Sequence, residues 1–118
     1  MIRITVMRND DRSISAFTVQ GHAGYAASGR DIVCAGVSAV TVGAVNAVEA
    51  LLSVELPSDM KDGWLAVRIP TQLPADVNNK VQLILESMIV MLQTIRDSYG
   101  KYMTMQEQYG TKEVDKTC

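Results

Sequence analysis

Apolar and polar residues alternate from Ile2 to Met7, with Ile2, Ile4 and Val6 set against Arg3, Thr5 and Met7, which is the period of a half-buried strand. The turn residues Asn9-Asp10-Asp11-Arg12 separate this run from a second, Ser13 to Gln20, and the pair predicts a β-hairpin. From about Val33 to Ser53 the spacing changes to three and four. Val33, Val37, Val40, Ala44, Val48 and Leu51 form one apolar stripe, while Gly36, Ala39, Gly43, Ala47 and Ala50 form a second of small residues. Together they predict a helix buried on most sides and closely approached by another element. Val54 to Pro57 is a weak strand candidate, Ser58 to Asp62 reads as a turn, and Gly63 to Ile69 reads as a stronger strand. After Pro70 and Pro74, Asp76 is placed to cap a long helix carrying Val77, Val81, Ile84, Met88, Met91 and Ile95, with its methionines as core filling. Gly100 ends or weakens that helix, and Lys101 to Tyr109 reads as its extension.

The order ββαββα predicts an α+β fold in which two principal helices pack on one side of a mainly antiparallel sheet; strand order stays open. Both helices carry more apolar surface than one sheet face covers, so an exposed apolar patch and a homodimer are expected. A chain of 118 residues fits a single domain with one core, taken here as 1–110, followed by a polar tail, 111–118, expected to be disordered. The formal net charge of -2 offers no basic excess for docking on RNA or DNA, so no direct nucleic-acid contact is expected. The first residues alternate like a strand and lead into charged Arg8, Asp10 and Asp11, unlike a secretion signal. The apolar region from Ile32 to Leu56 is interrupted by Ser38, Thr41, Asn46 and Glu49, so no membrane span is expected and the cytoplasm is the expected location.

Against this background one stretch carries chemistry. Gly21-His22-Ala23-Gly24 holds the only histidine, and Asp31-Ile32-Val33-Cys34-Ala35-Gly36 holds the only internal cysteine. The hairpin delivers His22 just past its second strand, and a loop with Gly24 and Gly29 runs into the helix. Asp31, directly before the apolar run, is an N-cap or an acid that orients His22; as a cap it puts Cys34 in the first turn, where a thiolate is stabilised. His22 can then take the thiol proton and return it to a leaving amine, with first-turn amides as oxyanion donors. Ser38, one turn after Cys34, either supports the site or bonds back to a carbonyl of the preceding turn. Tyr25 either makes an aromatic contact or stands exposed in the loop. The opposite reading makes Cys34 a small buried hydrophobe and His22 a core or turn residue. No CxxC or HxxxH pair is present, so no metal and no cofactor is expected, and Cys118 in the tail is incidental.

Gly-His-Ala at residues 21–23, a spacer, Gly29, then Asp31-Ile32-Val33-Cys34-Ala35 and Ser38 closely resemble the ribosomal-processing cysteine protease family, Prp, of Firmicutes and related bacteria. Length and element order fit that family over nearly the whole chain, with residues 21–38 as its specific signature. The spacer Gly24-Tyr25-Ala26-Ala27-Ser28 departs from it in being uncharged, where the family often has acidic residues. The resemblance implies a cysteine endopeptidase with His22 and Cys34 as a dyad and Asp31 and Ser38 as matched supporting positions, while the glycines themselves, which allow positive φ and close approach to a ligand, make Gly21, Ala23, Gly24, Tyr25 and Gly29 the expected substrate loop. It further implies the precursor of ribosomal protein L27 as substrate, cut after an aromatic residue to remove an N-terminal extension, and a homodimer. The contrasting function is a non-catalytic interaction domain or thiol sensor associated with ribosome assembly.

Overall fold

The computed structural model describes residues 1–27 and 29–110, so the expected tail 111–118 with Cys118 lies outside the described residues. Seven elements follow one another: β1 (Ile2–Arg8), β2 (Ile14–Gln20), α1 (Ile32–Leu52), β3 (Ser58–Lys61), β4 (Trp64–Arg68), α2 (Ala75–Tyr99) and β5 (Met103–Tyr109). The strands form one sheet in the order β3-β4-β2-β1-β5, antiparallel throughout except for the parallel pair of β1 with β5. This is the expected α+β architecture, with one more strand at its end.

Cross-strand rows explain why these segments pair. Val6, Phe17 and Val67 stand side by side, as do Ile4, Val19 and Leu65, and Met103 stands beside Ile2. Their apolar side chains line the sheet face that the helices cover, where Ile4, Phe17 and Val67 are completely or almost completely buried. A bulge between Met7 and Arg8 accommodates the spacing of Ile14 and Phe17, three residues apart, so both reach that face. Helix α1 contributes Val33, Val37, Thr41 and Val48 to the core, and α2 contributes Val81, Leu85, Met88, Ile89 and Leu92.

Four local expectations change. The segment 54–57 is not a strand; Ser58–Lys61, expected to turn, is strand β3, and the reversal falls on Asp62-Gly63. All four β3 side chains are exposed, so no apolar alternation marked it. Lys101 to Tyr109 does not extend α2: the chain reverses at Gly100 and returns as β5, where only Met103 is buried and pairing with β1 supplies the order. The N-cap of α2 is Pro74 rather than Asp76, which lies in the first turn, where its charge complements the helix dipole. Helix α1 is uninterrupted, and with 21 residues and a mean hydropathy of 1.7 it is long and apolar enough to cross a membrane by length and composition. Ser38, Thr41 and Asn46 are tolerated within it, and here it is a core helix against the sheet and α2. Its small-residue stripe divides, since Gly36 faces Ile95 of α2 whereas Ala39, Gly43 and Ala50 are exposed. Apolar surface is left uncovered on both helices, at Ile32, Leu51, Leu83, Val90 and Met91.

Candidate active site

Strand β2 ends at Gln20, and the chain must then leave the sheet within two residues to bring His22 beside the first turn of α1. Gly21 makes that exit with φ +88, passing so close to the Met1 carbonyl that a Cβ would overlap its oxygen. Its N–H donates to the Gly63 carbonyl at 2.8 Å, tying the exit to the β3–β4 turn. His22 therefore lies across that turn: an added Cβ on Gly63 would stand 2.7 Å from the imidazole Nε2. The Asp62 carboxylate lies 3.9 Å from Nε2, and the imidazole is 63% exposed.

On the facing wall, Asp31 is the N-cap of α1, and one of its oxygens accepts from the N–H groups of Val33 and Cys34, each at 3.0 Å. Its other oxygen accepts from Tyr25 N–H at 3.0 Å and Ala26 N–H at 3.4 Å. A single carboxylate thus caps the helix and clasps the loop. These donors, with the Cys34 N–H foremost, hold its pKa below the ordinary aspartate value against the opposing effect of desolvation. Asp31 consequently does not orient His22; the acid nearest that ring is Asp62. The capping also corrects the expected oxyanion donors, because the Val33 and Cys34 amides are taken by the Asp31 side chain and that of Ala35 by the Asp31 carbonyl.

The donor that faces the sulfur comes from the loop. Buried Ala23 sends its N–H to Cys34 Sγ at 3.2 Å, so a backbone donor and the helix end both face the sulfur. Cys34 is a free, half-buried cysteine in the first turn of α1. His22, Cys34 and Ser38 all line two adjoining cavities. One, of about 180 Å³, is bounded by Gly21, Met60, Lys61, Gly63 and Trp64. The other, of about 720 Å³, lies under the loop and is bounded by Gly24, Gly29, Asp31 and Asp62. Among the described residues no hydrogen bond joins His22 to Cys34, and the Ser38 side chain does not bond back to the preceding turn. The two catalytic candidates share a space that is open for a peptide bond.

Tyr25 turns away from these cavities and packs edge-on against Tyr99 and Tyr102, with ring centroids 5.8 and 5.2 Å apart. The loop is thereby held at both ends of Tyr25, by its amide and by its ring. The hairpin turn Asp62-Gly63 and the flanking Lys61 and Trp64 were not expected at the site. An Asp-Gly pair before a strand is a strong hairpin signal and marks this turn in hindsight. Among the described residues no three His, Cys, Asp or Glu side chains converge as a metal site would require.

The sequence profile described as cysteine protease Prp matches residues 1–104. The ribosomal processing cysteine protease Prp of Bacillus subtilis (strain 168) is 43% identical over 101 residues, which cover 84% of this chain and 90% of the relative. The solved structure of the ribosomal processing protease Prp from S. aureus with a covalently linked product peptide superposes with a TM-score of 0.81 at 36% identity, covering 92% of this chain and 100% of the other. The complex of that protease with a substrate peptide gives 0.77 at 34% identity, with the same coverage.

Proposed function

This chain belongs to the cysteine protease Prp family, and from that premise we propose that it removes the N-terminal extension of ribosomal protein L27 with Cys34 as nucleophile and His22 as its acid and base. That it is a peptidase follows from the family; the substrate and the dyad are our reading. The observation that carries the dyad is the shared cavity wall, with the thiol at a helix N-terminus, Ala23 N–H on its sulfur, and the imidazole exposed opposite.

His22 takes the Cys34 proton, and the thiolate attacks the scissile carbonyl to form a C–S bond. The oxygen gains negative charge, and the Ala23 N–H, next to the sulfur, is the donor best placed to receive it. The C–N bond then breaks as the imidazolium protonates the leaving amine. Water, deprotonated by His22, hydrolyses the thioester and restores the thiol. Asp62 supports the imidazolium across the turn, and Asp31 positions the loop that carries Ala23. Ser38 is assigned the supporting role, at the cavity wall one turn beyond the nucleophile. We place the enzyme in the cytoplasm, where ribosomal precursors are made, and assign it a homodimer through the apolar side chains left exposed on its helices.

Intact-mass analysis of the same organism's L27 after incubation tests this directly. A discrete N-terminal loss is expected, falling by at least about a thousandfold with Cys34→Ala. Iodoacetamide should alkylate Cys34 rapidly near neutral pH and more slowly in His22→Ala. An extended L27 left intact by a folded, alkylatable enzyme overturns the substrate. Alkylation indifferent to His22 overturns the dyad and favours a thiol sensor.

A further inference from the structure

The smaller catalytic cavity does not end at the reacting groups. Val42, Met60 and Leu65 line both it and a further cavity of about 210 Å³ between the C-terminal half of α1 and strand β3. The two cavities adjoin through these shared residues and together form a groove leading away from Cys34, with α1 on one side and the β3–β4 hairpin on the other. Its flanking strand β3 is the edge of the sheet, exposed along its length, and its outer backbone groups have no strand partner among the described residues. An extended peptide is the shape such a groove and edge accept.

Charge is distributed unevenly along it. Lys61 and Asp62, of opposite sign, flank the catalytic end, with the Lys61 ammonium over the Trp64 ring. Glu49 and Glu55, both exposed, line the far end, with no cation among the residues that bound it. Resting on the protease reading above, we infer that this groove is an extended substrate subsite in which Glu49 and Glu55 select a peptide bearing a lysine or arginine remote from the scissile bond. The helix sets the distance. At 1.5 Å per residue, Cys34 and Glu49 are about 22 Å apart along α1. An extended chain covers that span in about six or seven residues.

The test uses the full chain and the L27-derived peptide that it cleaves, with a single lysine moved from three to nine residues away on either side of the scissile bond and alanine elsewhere in those positions. Expected is an optimum in kcat/KM five to eight residues away on one side only, carried by KM. Glu49→Gln with Glu55→Gln should erase it by about three- to tenfold while leaving the all-alanine peptide unaffected, and raised salt should flatten it. Quenching of Trp64, the only tryptophan, should report the same preference in binding to Cys34→Ala. Efficient cleavage with a flat lysine profile, or an optimum that survives the double variant, overturns the subsite alone. Failure of an alkylatable enzyme to cleave any peptide overturns the protease reading, and the subsite falls with it.

Discussion

At one end of the β1–β2 ladder the Arg8 side chain, 10% exposed, is enclosed by Glu86, Glu107 and the Arg12 carbonyl, whereas at the other end His22 stands 63% exposed against a glycine turn. Both ends are organised by carboxylates, but to opposite purposes. Glu86 binds the guanidinium through both oxygens and Glu107 adds a third contact, so the far end has one geometry. Gln82 closes the same end by exchanging hydrogen bonds with the Ile14 backbone. At the site end Asp31 holds a loop by two exposed amide bonds, which water can replace. A small protein can leave its candidate site open while the opposite end of the same strands is fastened by a partly dry network.

Arg8→Ala is the strongest way to break this division. It leaves two carboxylates facing each other, and since both still reach water the expected loss is about 2–3 kcal/mol in denaturant unfolding. Cleavage per folded molecule should be unchanged; a matching fall in kcat would mean that the two ends are coupled. Gly63→Ala attacks the site end, where the backbone has φ +71 and the new methyl would meet His22 Nε2. About 1–2 kcal/mol of strain is expected, with Cys34 alkylation slowing toward the rate of His22→Ala.

Asp31→Asn sharpens the contrast with the smallest change. An amide can keep one oxygen on Val33 and Cys34 while turning its NH2 toward Tyr25, replacing an attraction by two opposed donors. Hydrogen exchange should accelerate at Tyr25 and Ala26 but not in α1, and KM should rise a few-fold by comparison with wild type. Acid should act in the same direction. The Asp31 pKa is lowered by folding, so its tether is fully present above the unfolded carboxylate value of about 4 and is lost as pH falls through the lower folded value.

The hairpin, the capped α1, strand β4 and the body of α2 were legible because each carries a period that burial enforces. Strands β3 and β5 were not, because they are sheet edges: their side chains are mostly in water, and a partner distant in sequence decides their conformation. The site divided in the same way. His22, Cys34 and the Asp31 cap sit in one contiguous motif, whereas Asp62 and Gly63 reach the imidazole only through the pairing of β4 with β2. The Asp31 clasp on Tyr25 depends on a loop path that spacing does not encode, and Tyr25 finds its aromatic partners at the C-terminal end of α2 and just beyond it.

The parallel pairing of β1 with β5 joins Ile2 to Met103 and Arg8 to Tyr109. Strand β1 therefore waits for β5, made much later, before both its edges are satisfied. Contacts so distant in sequence slow the search for the native state, and they keep it from closing on a partial chain. During synthesis the apolar face of β1 has its hairpin partner but not its other neighbour, the condition in which strands recruit one another between molecules. An enzyme wired this way reaches its folded state only after β5 has been translated.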